Sequence, residues 1–341
     1  MHKLPCLIIS LLMLLPIFSS AEEGQRQGKF LGARETAYPD WFKASFMELG
    51  EDVQEAAEEG KRVMLFFHQD GCPYCNLMVE RNLSQKDIQE TMKAKLDVIE
   101  INMWGDREVG AVNGKTYTEK RFAEVLKVQF TPTLLFLDES GKVILRLNGY
   151  IPPNTFKTAL GYVNGHKEKE GSYRNYLAAN KPPKAAGKLH NEAFFLPPSH
   201  DLSRGERPLA LFFEQKQCPN CDKLHKEVLT DPGIRKLISR FDAVQLDMWS
   251  DTPVTTPAGK ETTAREWARE LGVNFAPSVV LLDRKHGEVI RSEAVFKRFH
   301  TESILDYHLS GAFKHQPSFQ RYISERAEAI REQGRDVDLW K

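Results

Sequence analysis

The chain has 341 residues, 47 basic and 47 acidic side chains, and a formal net charge of zero. This length allows two domains, each with its own hydrophobic core. The balanced charge argues against nucleic acid as a partner, and the composition is that of a soluble globular protein rather than a disordered or fibrous one.

The first residues have the features of a secretory signal. Lys3 precedes an apolar run at 7–18, and small residues follow at 19–21. The run has about a dozen residues, whereas a membrane-spanning helix needs about 20, which disfavours a membrane anchor. We expect residues 1–21 to be removed together with Cys6. The mature protein is then periplasmic or secreted, with no stable membrane insertion.

The next elements in chain order predict one α/β unit. A continuous apolar run predicts a buried strand, and "DESG" between two apolar runs predicts a turn between strands. The predicted elements are a helix at 50–59, a strand at 62–67, a helix after Cys72, a strand at 96–103, a helix at 118–127, strands at 133–137 and 143–147, and a helix beginning at 153. This alternation predicts a mixed central sheet with helices on both faces.

The sequence then contains a second copy of this unit. The segment "KRVMLFFHQDGCPYC" (61–75) matches "RPLALFFEQKQCPNC" (207–221), and "FAEVLKVQFTPTLLFLD" (122–138) matches "WARELGVNFAPSVVLLD" (267–283). The matches keep their order and nearly the same spacing, which indicates a tandem duplication.

A segment rich in Ala, Pro and Lys separates the two copies. We expect a first domain at 22–177, a linker at 178–190 and a second domain at 191–341. The second domain ends with a helix in "SFQRYISERAEAIREQG" (318–334), whose apolar residues have the spacing of a packed surface helix rather than of a partner-binding arm.

Each copy carries one CxxC pair, Cys72 with Cys75 and Cys218 with Cys221. The first cysteine follows a buried strand and precedes a helix, where free backbone N–H groups and the helix dipole favour a thiolate. The second cysteine lies in the first helical turn, within reach of the first. The spacing therefore predicts dithiol–disulfide cycling, in which Cys72 and Cys218 attack and Cys75 and Cys221 resolve the mixed disulfide.

Two other interpretations of the cysteine pairs are weaker. As structural staples, CxxC disulfides would close very small loops and remove little entropy from the unfolded chain. As zinc half-sites, each pair would need a partner pair, and the other pair lies in a separate copy of the fold. The histidines form no HxH or HExxH motif. We expect no metal and no bound organic cofactor.

The CxxC pairs, followed by "FTPT" and "FAPS" before a strand hairpin, resemble the thioredoxin fold. The chain is similar to bacterial periplasmic thioredoxin-related and Dsb-type thiol–disulfide oxidoreductases. The resemblance implies two tandem thioredoxin-like domains, each with a cis-proline opposite its CxxC. It also implies that Thr131, Pro132, Ala276 and Pro277 bind the substrate backbone.

The chain departs from this family at a buried position. Thioredoxin has an aspartate near the end of the strand before the CxxC, whereas Phe66 and Phe212 stand there in this chain. His68 and Glu214 lie one strand-face step later. They either serve in proton transfer or are solvated residues at a strand end.

Two further pairs of features recur beside the predicted sites. Trp104 and Trp249 end the matching "MWGD" and "MWSD" strands, either as packed aromatics or as apolar platforms beside the site. The polar segments at 105–117 and 250–262 either shape the substrate site or decorate the surface.

The resemblance implies an exported thiol–disulfide oxidoreductase that acts on protein disulfides, and a reductase is favoured. The alternatives are an isomerase or oxidase in oxidative folding, and a non-enzymatic binding module. The implied partners are protein clients with thiols or disulfides, and a redox partner protein that restores the site after each turnover. The dipeptides between the cysteines differ, Pro-Tyr against Pro-Asn. We therefore expect unequal reduction potentials.

Overall fold

The structure, a computed structural model, describes residues 27–180, 188–197, 201–216 and 218–340. The expected signal at 1–21 and most of the expected linker lie outside these ranges. Through residue 179 the elements are β1 (Phe30–Leu31), α1 (Leu49–Glu58), β2 (Arg62–His68), α2 (Pro73–Met78), α3 (Lys86–Lys95), β3 (Leu96–Asn102), β4 (Glu108–Gly110), β5 (Thr116–Thr118), α4 (Glu119–Val125), β6 (Thr133–Leu137), β7 (Val143–Asn148), α5 (Pro153–Asn164) and α6 (Tyr173–Ala179).

The second copy repeats this order. From residue 209 the elements are β8 (Leu209–Glu214), α7 (Pro219–Lys223), α8 (Pro232–Ile238), β9 (Asp242–Asp247), β10 (Pro253–Thr255), β11 (Glu261–Thr263), α9 (Ala264–Glu270), β12 (Ser278–Asp283), β13 (Gly287–Ser292), α10 (Arg298–Leu309), α11 (Phe319–Glu332) and β14 (Val337–Asp338). The structure confirms the predicted fold class, two thioredoxin-like α/β domains in tandem.

Each domain is built on a four-stranded mixed sheet. The strand orders are β3-β2-β6-β7 and β13-β12-β8-β9. In the first sheet β2 is parallel to β3 and antiparallel to β6, and β7 closes the sheet as an antiparallel edge strand. The second sheet has the same pairing. The edge strands β7 and β13 therefore occupy equivalent positions in the two domains.

Successive side chains of the central strand β2 point to opposite faces of the sheet and belong to two separate cores. Met64 and Phe66 of β2 pack with helices α2, α3 and α5 on one face of the sheet. Val63, Leu65 and Phe67 pack with α1 and α4 on the other face. All seven residues of β2 are buried, because helices cover both faces, which explains the continuous apolar run in the sequence.

The polar segments after Trp104 and Trp249 form short hairpins, β4–β5 and β10–β11. Their buried residues Val109 and Val254 join the cores on the face opposite the CxxC helices. The hairpins therefore extend the side of each domain that lies opposite its CxxC helix. That these segments shape the substrate site stays a prediction. Their packing on the opposite face does not favour it.

The terminal helix of each domain also contacts the other domain. Helix α6 packs beside α5 of its own domain, and its Tyr173 ring also lies 5.6 Å from that of Phe275 in the second domain. In the same way, the Phe319 ring of α11 lies 5.4 Å from that of Tyr307 in α10 and 5.4 Å from that of Phe130 in the first domain. Strand β1 pairs in parallel with β14, so the beginning of the described chain is joined to its end. Helix α11 is thus a packed helix, as expected, and it bridges the two domains.

The segments after the two edge strands are in direct contact. Asn148 donates a hydrogen bond from Nδ2 to Oε2 of Glu293, at 2.7 Å. Gly149 has a φ of 79°, a left-handed conformation that favours glycine. A Cβ added at Gly149 would lie 3.1 Å from both Ala294 Cβ and the Phe296 ring. The domains can approach this closely because a glycine stands there.

We expect Gly149→Ala to weaken this contact. Gly259→Ala is the matched control, since Gly259 has a φ of 78° and no atom within 4 Å of an added Cβ. The control should lose about 1–2 kcal/mol of unfolding free energy from backbone strain. Gly149→Ala should lose about 1–2 kcal/mol more, because the methyl group also crowds the other domain. Urea unfolding measures both, and equal losses would contradict a tight contact.

Candidate active sites

Each CxxC pair begins a helix in the way that its sequence predicts. Cys72 is the N-cap of α2, and its Sγ accepts a hydrogen bond from the backbone N–H of Cys75 at 3.0 Å. Cys218 caps α7 in the same way, with Cys221 N–H donating at 3.0 Å. A proline follows each capping cysteine, where a missing backbone N–H is tolerated. This N–H is already aimed at the sulfur that would become the thiolate.

Both pairs are joined as disulfides. The Cα atoms lie 5.3 Å apart in the Cys72–Cys75 pair and 5.1 Å apart in the Cys218–Cys221 pair. These distances lie within the range for disulfides, so the two states of each pair can interconvert with little backbone movement. Each site is therefore built for thiol–disulfide exchange.

The predicted substrate-binding prolines follow cis peptide bonds, Thr131–Pro132 and Ala276–Pro277. In the second domain, Cys218 Sγ lies 3.4 Å from the carbonyl oxygen of Ala276, so the structure brings these two predicted residues together. In the first domain, the Pro132 carbonyl accepts a hydrogen bond from Gly149 N–H at 2.8 Å. This bond ties the proline loop to the interdomain contact.

The first site is covered by the second domain. The Tyr74 ring, between the two cysteines, lies 5.3–5.5 Å from the rings of Phe296, His300 and Trp340. Its hydroxyl accepts a hydrogen bond from Lys297 N–H at 3.2 Å. Burial raises the pKa of Tyr74 to about 12 and lowers the pKa of His300 to about 4, so both groups are neutral at pH 7. The sequence analysis did not assign this role to Tyr74, although the presence of an aromatic residue between the two cysteines could have suggested it.

The second site borders an open cleft. Pro219 is exposed and Asn220 is half-buried, whereas Pro73 and Tyr74 at the matching positions are buried. A cleft of about 390 Å³ is lined by Cys218 and Pro277, and also by residues of the first domain. The two sites thus differ in access.

A buried network of charges lies beneath the second site. Glu214 is fully buried at the end of β8, and its carboxylate accepts hydrogen bonds from His225 at 2.8 Å and from Gln245 at 3.0 Å. The other ring nitrogen of His225 lies 3.0 Å from Glu192. Burial opposes the charged imidazole, but hydrogen bonds with Glu214 and Glu192 prevail and raise the pKa of His225. Sequence reasoning missed His225, although it stands one helical turn after Cys221.

In the first domain, His68 stands at the position that matches Glu214, and its environment is different. His68 is buried at the end of β2 beneath the Tyr38 ring, whose centroid lies 4.4 Å away. Its Nε2 lies 3.5 Å from the Glu100 carboxylate without forming a hydrogen bond. Burial lowers the pKa of His68 and outweighs the attraction of Glu100. Both His68 and Glu214 are buried rather than solvated, and a role in proton transfer stays a prediction.

The two recurring tryptophans are packed, each under a helix of the other domain. Trp104 and Trp249 donate from Nε1 to the side chains of Gln69 and Gln215, each at 2.8 Å. An arginine of the other domain lies over each ring, at 5.2 Å in the first domain and 4.3 Å in the second. The rings therefore anchor the helices that bridge the two domains.

Neither a membrane span nor a metal site is found in the part of the chain that the structure describes. Each described helix is too short or too polar to cross a bilayer. The described histidines, cysteines and acidic residues form no group of three or more that is arranged to hold a metal ion.

Comparison with known proteins identifies the domains. A family model described as a thioredoxin-like domain matches residues 49–164 and 201–306, more than half of the chain. The search of curated proteins found no match.

Several solved structures are similar to parts of the chain. A thioredoxin-fold protein from Helicobacter pylori is 22% identical, with a TM-score of 0.31, over 38% of this chain and 91% of that one. A thioredoxin from Thermus thermophilus is 24% identical, with a TM-score of 0.28, over 39% of this chain and 88% of that one. The C-terminal domain of DsbD from Neisseria meningitidis is 16% identical, with a TM-score of 0.28, over 36% of this chain and 98% of that one.

His225 in the second domain and His68 in the first should affect the free energy of unfolding with opposite pH dependence. Because the pKa of His225 is raised on folding, its contribution is fully present below the unfolded pKa of about 6.5 and is lost as the pH rises through the folded value. His225→Leu should therefore cost about 3 kcal/mol of unfolding free energy at pH 6, since it leaves Glu214 buried without its partner, and less at pH 8.5.

His68→Leu is the comparison variant. The pKa of His68 is lowered on folding, so its protonation opposes folding as the pH falls below about 6.5. The loss caused by His68→Leu should therefore shrink at acid pH, where the loss caused by His225→Leu grows. Urea unfolding between pH 5.5 and 8.5 measures both, and the same slope for the two variants would contradict these assignments.

Proposed function

This chain belongs to the thioredoxin-like domain family, and from that premise we propose that it is an exported thiol–disulfide reductase acting on protein disulfides. Two domains of this family, each with a CxxC pair at disulfide distance, support thiol–disulfide oxidoreductase chemistry in general. The observation that carries the thiol–disulfide exchange chemistry is the hydrogen bond at each helix start, where the second cysteine's N–H faces the sulfur of the first. Such a donor stabilises a thiolate.

The reaction follows from this geometry. The Cys218 thiolate attacks one sulfur of a client disulfide, and the other client sulfur leaves as a thiolate and takes up a proton. Cys221 then attacks Cys218 in the mixed disulfide, which releases the second client thiol and leaves the Cys218–Cys221 disulfide. A partner dithiol must next reduce this disulfide and becomes oxidised itself. The same steps apply to Cys72 and Cys75 when that site is open.

The closed first site favours reduction over isomerisation. An isomerase with two active domains would hold a misfolded client between two open sites. In this structure Tyr74 is buried against the second domain, whereas Asn220 at the matching position is half-buried. Cys72 and Cys218 are both buried, with exposed fractions of 2% and 5%, so the difference in access lies in the residues around them. The two pairs therefore do not form one open client surface, and the second site stands as the one for clients.

We further propose a periplasmic or secreted location. The support is the leader-like sequence at 1–21, with its basic residue, apolar run and small residues before the expected cleavage point. A mature N-terminus at residue 22, found by mass spectrometry of the protein expressed in a bacterium, is the expected result. An intact residue 1 would contradict export by cleavage.

The resolving-cysteine variants should trap clients unequally. Cys221→Ala stops the reaction at the mixed disulfide on Cys218, and Cys75→Ala does the same on Cys72. We expect at least tenfold more trapped client with Cys221→Ala, because the first pair is covered. Non-reducing gels and peptide mapping measure the adducts. Equal trapping would contradict the closed first site, and absence of adducts at both would favour a non-enzymatic binding module.

Reduction potentials separate a reductase from an oxidase or isomerase. Single-pair variants equilibrated in glutathione buffers should give the second site a potential near the thioredoxin value of about −270 mV. Potentials of about −120 to −180 mV would instead favour oxidation or isomerisation. Insulin reduction without rescue of scrambled ribonuclease is the expected activity. Identical potentials for the two pairs would contradict the expected effect of their different dipeptides.

A further inference from the structure

The cleft at Cys218 is a composite of both domains. Its volume of about 390 Å³ lies within the range of about 300–1,000 Å³ that is common for ligand pockets. Cys218 and Pro277 line it from the second domain. Tyr150, Thr155 and Thr158 line it from the first domain. One wall of this site thus belongs to a domain that has its own CxxC.

Several contacts hold the first-domain wall in place. Helix α6 follows the wall, and its Arg174 donates hydrogen bonds to the backbone carbonyls of Met248 and Arg265 in the second domain. The same guanidinium lies 4.3 Å from the centroid of the Trp249 ring. At the base of the cleft, Glu293 accepts the hydrogen bond from Asn148. The wall is therefore a fixed part of the second site.

The lining of the cleft is almost uncharged. Among the described residues that line it, Lys223 is exposed at its edge and Glu293 is buried with its own partners, Asn148 at 2.7 Å and Arg291 at 3.7 Å. The other side chains are apolar or neutral, and include the hydroxyl and amide groups of α5. A charged ligand side chain inside this cleft would lose its hydration without gaining a partner, since the one available charge, Lys223, lies at the exposed edge.

We propose that this cleft binds an extended protein segment in which uncharged, mainly apolar residues flank the reactive cysteine, and that the first domain selects it. Asn154, Thr155 and Thr158 stand on one side of helix α5, where their amide and hydroxyl groups can pair with the backbone of such a segment. The segment's sulfur meets Cys218 beside the Ala276 carbonyl. This inference rests on the proposed function and adds the substrate class.

Cys221→Ala in the full chain isolates the binding step. The first pair remains a disulfide, and the Cys218 thiolate attacks the peptide sulfur of a disulfide formed between a cysteine peptide and thionitrobenzoate. That bond breaks, the Cys218–peptide disulfide forms, and coloured thionitrobenzoate leaves because its thiol has the lower pKa. Absorbance gives the rate, and peptide mapping assigns the adduct to Cys218.

Three peptides, with leucine, glutamate or lysine on both sides of the cysteine, test the substrate class. The leucine peptide should react at least tenfold faster than either charged peptide. The first-domain wall is tested by Asn154→Glu and Thr158→Glu, each of which should raise the rate of the lysine peptide relative to the glutamate peptide at least threefold. Thr116→Glu, on an exposed strand of the same domain, is the matched control and should leave this ratio unchanged.

The outcomes separate this inference from the proposed function. A small hydroxyethyl–thionitrobenzoate disulfide reports whether Cys218 attacks at all. If neither this probe nor any peptide reacts, the proposed function fails. If the small probe reacts and the three peptides react equally, the substrate class is wrong. If the peptides differ but both wall variants leave the ratio unchanged, the selecting role of the first domain is wrong.

Discussion

The arrangement of this protein depends on one close contact, between the segments that follow the last strands of the two sheets. Gly149 offers no side chain, so Ala294 and Phe296 reach its backbone. In each domain this segment lies next to the cis-proline loop and hence next to the CxxC. Docking the two segments therefore places each domain against the other's site. Helices α6 and α11 then bridge the two domains, and β1 pairs with β14.

The same contact closes one site and leaves the other open, because the side chains that meet across it differ. Tyr74 stands between the first pair of cysteines and Asn220 between the second pair. Burying an aromatic ring is favourable by about 1.5–3 kcal/mol, so Tyr74 holds the second domain over the first pair. Asn220 is short and polar, and the first domain meets the second site across a cleft instead. A duplicated fold thus carries two sites that differ in access.

The features within each domain could be predicted from the sequence, because they follow from local patterns. The buried run at Arg62–Phe67 predicts a strand covered on both faces, and the structure places the strand at Arg62–His68. The CxxC spacing, with proline after the first cysteine, predicts a helix start that is capped by sulfur. The cis bond before Pro132 came from the family resemblance, since no local pattern requires it.

The arrangement between the domains could not be predicted, because a hydrophobic pattern shows which face is buried but not what covers it. Phe319, Ile323 and Ala327 mark one buried face of α11. In the structure this face packs on α10 of its own domain, through Tyr307, and on Phe130 of the first domain, and the pattern does not reveal the second contact. The arrangement between the domains depends on single residues such as Gly149 and Tyr74. The role of each residue depends on the residue that it contacts in the other domain, which is more than a hundred positions away in the sequence.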